Sequence, residues 1–202
     1  MAKIQESEKA LKALASLLPV VYSALEAATQ STREFFDRED RPIDSYLAPC
    51  LVRYYAKQHL DSVGQSVEYD REELSNNGLC LTYNNYLLRI WKSEDGELPV
   101  PGQSRPRQAF FQQLPIAINN PEEQLNLAIL WEVSSDYNLQ RLLLSCPKAG
   151  DTTRASVEAY WTIPIPHPAL SSPPQSQIDV NEVADLDITR IKPLDLEAEQ
   201  AR

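Results

Sequence analysis

The side chains that could do chemistry are few in this chain and widely spaced. Its two histidines, His59 and His167, lie far apart, and none of its three cysteines sits in a CxxC pair. A zinc site needs such ligands clustered. The five glycines form neither GxGxxG nor GxxxxGK[ST], and there is no GxSxG elbow. Residues 93–97 lack the ligand order of a calcium loop. We therefore expect no metal and no cofactor.

The cysteines are the next candidates for reactivity. Cys50, Cys80 and Cys146 are an odd number at distant positions, which is typical of a reducing compartment. Cys80 lies opposite Arg89 in the hairpin register described below, and a nearby cation lowers the pKa of a thiol. A nucleophilic cysteine also needs a base, however, and no histidine is near it in the sequence. We predict that all three are small buried hydrophobes, with a reactive Cys80 as the alternative.

Residues 92–108 form the most unusual connection in the chain. It is long, and it is stiffened by prolines at 99, 101 and 106 and punctuated by glycines at 96 and 102. Arg105 and Arg107 are two of its three cations, and aromatic residues flank it. Arginine beside aromatic residues is the composition of an interface hot spot. The candidate partner-binding residues are Arg89, Trp91, Arg105, Arg107 and Phe110.

A structural role for the same loop is the alternative. Its arginines could pair with the loop carboxylates Glu94, Asp95 and Glu97, and would then only hold the loop in place. The sequence favours neither interpretation over the other.

An enzymatic alternative rests on dispersed carboxylates. Glu68, Asp70, Glu72 and Glu73 precede the hairpin that carries Arg89. Such a cluster is usually a solvated edge, and a catalytic role needs a deep pocket that perturbs the carboxylates.

The net charge of −10 at pH 7 limits the classes of partner. Nucleic-acid binding needs a stripe of Lys and Arg, and docking on an anionic membrane needs the same. We therefore expect no nucleic-acid partner and no membrane partner, and the charge favours a basic protein partner. The apolar stretch 13–25 resembles the core of a signal peptide, but acidic residues at 6 and 8 disfavour a secretory leader. We expect a cytoplasmic protein.

The N-terminal segment has helical periodicity. Its apolar positions alternate in steps of three and four: Ile4, Leu11, Leu14, Leu18, Val21, Leu25, Ala28 and Phe35. Pro19 either kinks one helix or starts a second. The positions beside this seam are mostly apolar rather than charged, which favours packing on the chain's own sheet over a homodimer through this helix. A further helix is predicted at 44–60, with Asp44 or Ser45 as its N-cap.

The strand signal is clearest at residues 79–91. Two apolar runs flank Asn84 and Asn85, which predicts a two-residue hairpin with a type I′ turn. The register follows by counting. One face pairs Leu79 with Ile90, Leu81 with Leu88 and Tyr83 with Tyr86, and the other pairs Gly78 with Trp91, Cys80 with Arg89 and Thr82 with Leu87. A slip of one residue would mix the two faces.

The remaining pattern completes the fold prediction. Strands are expected near 66–70 (with Val67 and Tyr69 inward), 125–133, 139–145 and 157–163, and a short helix at 107–114. The predicted class is α+β, with an antiparallel sheet of about six strands. Two three-stranded meanders are joined by the long loop and short helix, and the N-terminal helices cover the sheet.

The chain divides by composition into three stretches. Residues 1–62 are the N-terminal helical segment, and together with the sheet of 63–170 they form one domain. Residues 171–202 are rich in proline and acidic residues, which predicts a disordered tail. Within it, 188–196 is a short motif that could order on binding.

The order of helices and strands in a small acidic chain resembles the layout of bacterial secretion chaperones. The resemblance is one of architecture and implies a chaperone-like or adaptor role. The missing catalytic constellation, the acidic charge and the proline-framed loop favour a non-enzymatic, accessory or regulatory protein-binding module. The alternatives are a small enzyme using the dispersed carboxylates and a homodimeric structural protein.

Overall fold

The structure, a computed structural model, describes residues 2–63, 67–72, 74, 78–114, 124–148 and 157–171. The chain forms two units, Met1–Ser171 and Ser172–Arg202, and the second lies outside the described residues. The predicted tail at 171–202 and its motif at 188–196 therefore lie outside them too, apart from Ser171. The three-part division of the chain stays a prediction.

The first unit contains helices and a six-stranded sheet, so the predicted α+β class is confirmed. In chain order the elements are α1 (Ala2–Ala13), α2 (Leu17–Arg38), α3 (Leu47–Val63), β1 (Asp70–Arg71), β2 (Leu79–Tyr83), β3 (Tyr86–Lys92), α4 (Arg105–Phe111), β4 (Leu125–Val133), β5 (Leu139–Pro147), β6 (Ala159–Ile165) and α5 (Pro168–Ser171).

The six strands lie in chain order across the sheet, as two three-stranded meanders. Neighbours within each meander are antiparallel. The meanders meet through a parallel pair, β3 and β4, in which Tyr86 lies opposite Leu125 and Trp91 opposite Leu130. A parallel pair needs a long crossover, and the connection through the 92–108 loop and α4 supplies it.

The hairpin β2–β3 has the predicted register. Leu79 pairs with Ile90, Leu81 with Leu88 and Tyr83 with Tyr86, and Cys80 lies opposite Arg89. Of the two loop residues only Asn84 has a positive φ, of 52°. A positive φ at the first loop position alone is the type II′ pattern, so the turn is not the predicted type I′.

The first strand begins later than the predicted position near residues 66–70. Only Asp70 and Arg71 pair with β2, and residues 64–66 lie outside the described part. Val67 and Tyr69 do turn inward and pack against the core on the helical side. The Tyr69 hydroxyl donates to the Leu60 carbonyl at 2.7 Å, so this segment is tied to α3 and joins the sheet only afterwards.

The N-terminal segment forms two helices, one of the two alternatives for Pro19. A turn separates α1 from α2 with a bend of 75°, and Pro19 lies in the first turn of α2, where its missing N–H has no intrahelical acceptor to lose. The apolar seam packs on the chain's own sheet, in one core with Leu81, Ile90 and Leu127. Among the described helices none is by itself long and apolar enough to cross a membrane, although α1 and α2 together reach that length and composition.

The helix α3 begins slightly later than predicted. The Asp44 carboxylate accepts hydrogen bonds from the N–H groups of Tyr46 (2.8 Å) and Leu47 (2.6 Å). Asp44 therefore caps the first turn, as its position before the apolar periodicity indicated.

The two faces of the sheet carry separate cores. The helices cover one face. On the other face α4 and the preceding loop cover a smaller core: Cys80, Leu87, Leu98, Phe110, Phe111, Ala128, Leu130 and Leu143, with Trp91 partly buried beside it. Most of the candidate partner-binding residues lie on this second face.

Candidate partner-binding site

Three aromatic rings attach α4 to the end of β3. Trp91 stacks on Phe111, with ring centroids 5.4 Å apart and planes 19° apart, and meets Phe110 edge to face at 5.2 Å. Both phenylalanines are fully buried, whereas Trp91 is only partly buried. Phe110, a candidate contact residue, therefore anchors the helix from within and leaves Trp91 as the ring nearest solvent.

Hydrogen bonds just after α4 fix the helix to β4. The side-chain amide of Gln113 pairs with the backbone of Asn126 on both sides, at 2.8 Å each, as a neighbouring strand would. The Asn126 amide in turn donates to the carbonyls of Phe110 and Leu114, both at 3.1 Å. These two side chains hold the C-terminal end of α4 in one place.

The side chain of Arg89 lies beneath the rings of Trp91 and Phe110, and the residue is only 8% exposed. Its guanidinium carbon is 5.9 Å from the Trp91 ring centroid and 5.4 Å from that of Phe110, within the range of cation–π contacts. Its Nε is buried and has no hydrogen-bond acceptor. No carboxylate of the described residues lies within ion-pair distance of Arg89. The Glu72 carboxylate approaches the Cys80 thiol, at 3.9 Å, instead.

Arg107, on α4, shares the same indole ring. Its guanidinium carbon is also 5.9 Å from the Trp91 centroid, and its Nη1 donates to the Val100 carbonyl at 3.3 Å. Burial, and next the positive charge of Arg89, lower the pKa of Arg107. The two guanidinium groups therefore lie near the same aromatic ring and repel each other.

The structure brings together four of the five candidate residues: Arg89, Trp91, Arg107 and Phe110. Arg105, at the start of α4, is exposed, and its side chain makes no hydrogen bond or ion pair with any residue that the structure describes. It lies beside the cluster in sequence without joining its contacts.

The loop is held by residues that the sequence did not single out. Glu132 is 7% exposed, and it accepts hydrogen bonds from the Gly96 N–H and from Arg141 Nε, both at 2.5 Å. The Ser93 hydroxyl donates to the Glu97 carbonyl at 2.8 Å. Within the described part of the chain, neither Arg105 nor Arg107 pairs with a loop carboxylate. Arg107 instead contacts the loop through the Val100 carbonyl, to which its Nη1 donates.

The thiol opposite Arg89 is not arranged as a nucleophile. Burial and next the charge of Glu72 raise the pKa of Cys80 to about 12, and the nearby Arg89 offsets this only in part. The thiol therefore stays protonated at neutral pH.

The carboxylates of the enzymatic alternative do not share a cavity among the described residues. Glu68 and Asp70 are exposed, Glu72 is partly buried, and Glu73 lies outside the described part. The described cavities, of about 540, 1110 and 330 Å³, are lined by other residues. Across the described ranges no three His, Cys, Asp or Glu side chains converge as metal ligands.

No family model, curated protein or solved structure matches this chain.

Proposed function

We propose that this chain is a non-enzymatic protein-binding module, an accessory or regulatory protein of the chaperone-like or adaptor kind. It docks a partner through the surface formed by Trp91, Arg105 and Arg107, which we call the Arg–Trp surface. Arg89 and Phe110 support this surface from beneath. The three cysteines are all free, which supports a reducing compartment such as the cytoplasm.

One observation carries the proposal. Arg89 and Arg107 approach the same indole ring, and neither has a carboxylate partner among the described residues. Buried or half-buried arginines are normally paired, because an unpaired charge loses its hydration without compensation. An unpaired arrangement of Arg and Trp, held on a rigid support, has the character of an interface that is complete only when a partner is bound.

The position of the arginines on α4 supports the same conclusion. The N-terminal turn of a helix favours acidic side chains, because the helix dipole is positive there. Arg105 and Arg107 occupy this turn in α4, which has no acidic residue in it. Their charge therefore does not stabilise the helix, and a contact outside the chain gives it a role.

Site-specific photo-crosslinking in the native cells tests the proposal. A photoreactive amino acid at Gln103, an exposed loop residue, is compared with one at Gln30, an exposed residue of α2. We expect a crosslinked species of discrete mass from position 103 only. The species should disappear when Arg105 and Arg107 are both changed to Ala in a protein that still unfolds cooperatively.

Two results would count against the proposal. One is a yield from Gln103 no greater than that from Gln30. The other is an unchanged yield in the double variant, which would show that the captured protein does not need the arginines.

A further inference from the structure

The unpaired charges indicate which kind of group the Arg–Trp surface accepts. We infer that the surface binds carboxylate side chains in an acidic segment of the partner protein. The inference rests on the proposed function and adds the chemistry of recognition. It also differs from the expectation set by the net charge of the chain, which favours a basic partner.

The first step is the burial of Arg89. Its side chain is more than nine-tenths buried, and its Nε–H points to no acceptor in the described structure. The contacts that surround it are two aromatic rings and a protonated thiol, and the Glu72 carboxylate, which approaches that thiol at 3.9 Å, makes no ion pair with Arg89. The guanidinium therefore retains unused hydrogen-bonding capacity and an uncompensated charge.

The second step is the neighbouring charge of Arg107. The guanidinium carbons of Arg89 and Arg107 each lie 5.9 Å from the Trp91 ring centroid, which places the two charges close together. Burial, and next the charge of Arg89, accordingly lower the pKa of Arg107. A single anionic group near both would relieve their repulsion and supply an acceptor to the partly exposed Arg107. A carboxylate suits this position, since its two oxygens match the paired N–H groups of a guanidinium.

The third step separates peptide carboxylates from polyanions. The chain carries a net charge of −10, which repels a nucleic acid or an anionic membrane over long distances. A short acidic segment brings few charges and can place an apolar or amide surface on the partly exposed Trp91 ring. The net charge therefore favours a short acidic peptide over either polyanion.

The test is a titration of the full chain followed by the ¹H–¹⁵N signals of its arginine Nε–H groups. The probes are a hexaglutamate peptide, a hexaglutamine peptide and inorganic phosphate. We expect hexaglutamate to shift the Arg107 signal saturably, because its partly exposed guanidinium gains a carboxylate acceptor, and to shift the Arg89 signal because a negative charge is then bound close to it. Hexaglutamine should leave both signals unchanged.

Three variants test whether the peptide binds at Arg89 and Arg107. Arg107→Gln should weaken hexaglutamate binding about tenfold or more, as expected for the loss of a charge-assisted contact. Arg38→Gln, an exposed change of equal charge at the end of α2, should leave it unchanged. Arg89→Lys, which keeps the charge but loses the planar donor set, should also weaken binding.

Three results would overturn the inference: no shift with hexaglutamate, a shift that Arg38→Gln weakens as much as Arg107→Gln does, or inorganic phosphate binding as tightly as the peptide. The last would identify a site for free anions. A photo-crosslink from Gln103 that persists in any of these cases would leave the docking function standing and reject only its acidic chemistry.

Discussion

Arg89 is the residue at which stability and function are expected to conflict. Its guanidinium is buried between Trp91 and Phe110 without an anion. Replacing a buried ion pair by apolar side chains of similar volume is often neutral or stabilising by about 1–4 kcal/mol, and an unpaired buried charge has no ion-pair attraction to lose. We expect Arg89→Met to raise the free energy of unfolding, measured in urea, and to abolish hexaglutamate binding.

Arg141→Met is the matched control, because the guanidinium of Arg141 is paired. In this variant the carboxylate of Glu132, which is 7% exposed, loses the cation that pairs with it, so we expect the free energy of unfolding to fall. If Arg89→Met were instead destabilised as strongly as Arg141→Met, Arg89 would be a structural cation and its proposed role would be wrong.

We expect the three thiols to differ in reactivity, because Cys80 and Cys146 are buried and Cys50 is only partly buried. Burial raises the pKa of Cys80 and of Cys146 to about 12 in each case, helped by Glu72 and Glu6 respectively. Cys50 is only partly buried and accepts a hydrogen bond from Arg53 Nη2 at 3.1 Å. We expect one thiol, Cys50, to react with Ellman's reagent in the native protein, and all three after unfolding. If native Cys50→Ser still reacted with one equivalent of Ellman's reagent, this assignment would be wrong.

The raised pKa values of the two buried thiols also set a direction for stability against pH. The pKa of an unfolded thiol is about 8.5, whereas the pKa of each folded thiol is raised to about 12. Between these two pKa values the folded state keeps protons that the unfolded state releases. The contribution of the two thiols to the free energy of unfolding is therefore fully present below about pH 8, and it is lost as the pH rises towards about 12.

At the scale of elements, the attachment of α4 depends on Asn126. Its side chain donates to two carbonyls at the end of the helix, and it is 1% exposed. Asn126→Leu removes both donors, and each buried acceptor left without a partner costs about 1–3 kcal/mol. We expect lower stability in urea and faster hydrogen exchange in α4. Gln112→Leu, at an exposed position beside α4, should change neither, and equal losses in both variants would refute this role.

The elements differ in how far the sequence predicts them. The hairpin register was predictable because strict alternation around a two-residue turn leaves only one pairing that sorts the side chains. β1 was not, since its position depends on the bond from Tyr69 to α3. That Arg89 and Trp91 lie on the same face followed from counting along the strand. The burial of Arg89 could not be predicted, because α4 covers it and is held in place by hydrogen bonds between Gln113 and Asn126, which leave no periodic signal in the sequence. A polar residue at position 126 within an apolar strand was the available hint.

At the scale of the whole molecule, the burial of the N-terminal seam predicts a monomer. Leu14, Leu18, Val21 and Leu25 are at most 5% exposed in the single chain, so little of the seam is left for a second copy. Light scattering after size exclusion should give a mass near 22.8 kDa at micromolar concentration. Twice that mass, together with dissociation by Leu18→Glu in a folded protein, would support a dimer through this helix.

The net charge and the local charge of the Arg–Trp surface act on binding in opposite directions. An acidic peptide is repelled by the net charge of −10 at long range and attracted by Arg89 and Arg107 only on contact. Salt screens the repulsion beyond about 8 Å at physiological ionic strength, whereas partly buried contacts are screened much less. We therefore expect the association rate constant of hexaglutamate, measured by stopped flow with a labelled peptide, to rise as salt is added from low ionic strength. Arg107→Gln should raise the dissociation rate and leave this salt dependence in place. An association rate that falls with salt would mean that a positive field steers the peptide from a distance, and the recognition would then involve more of the surface than these two arginines.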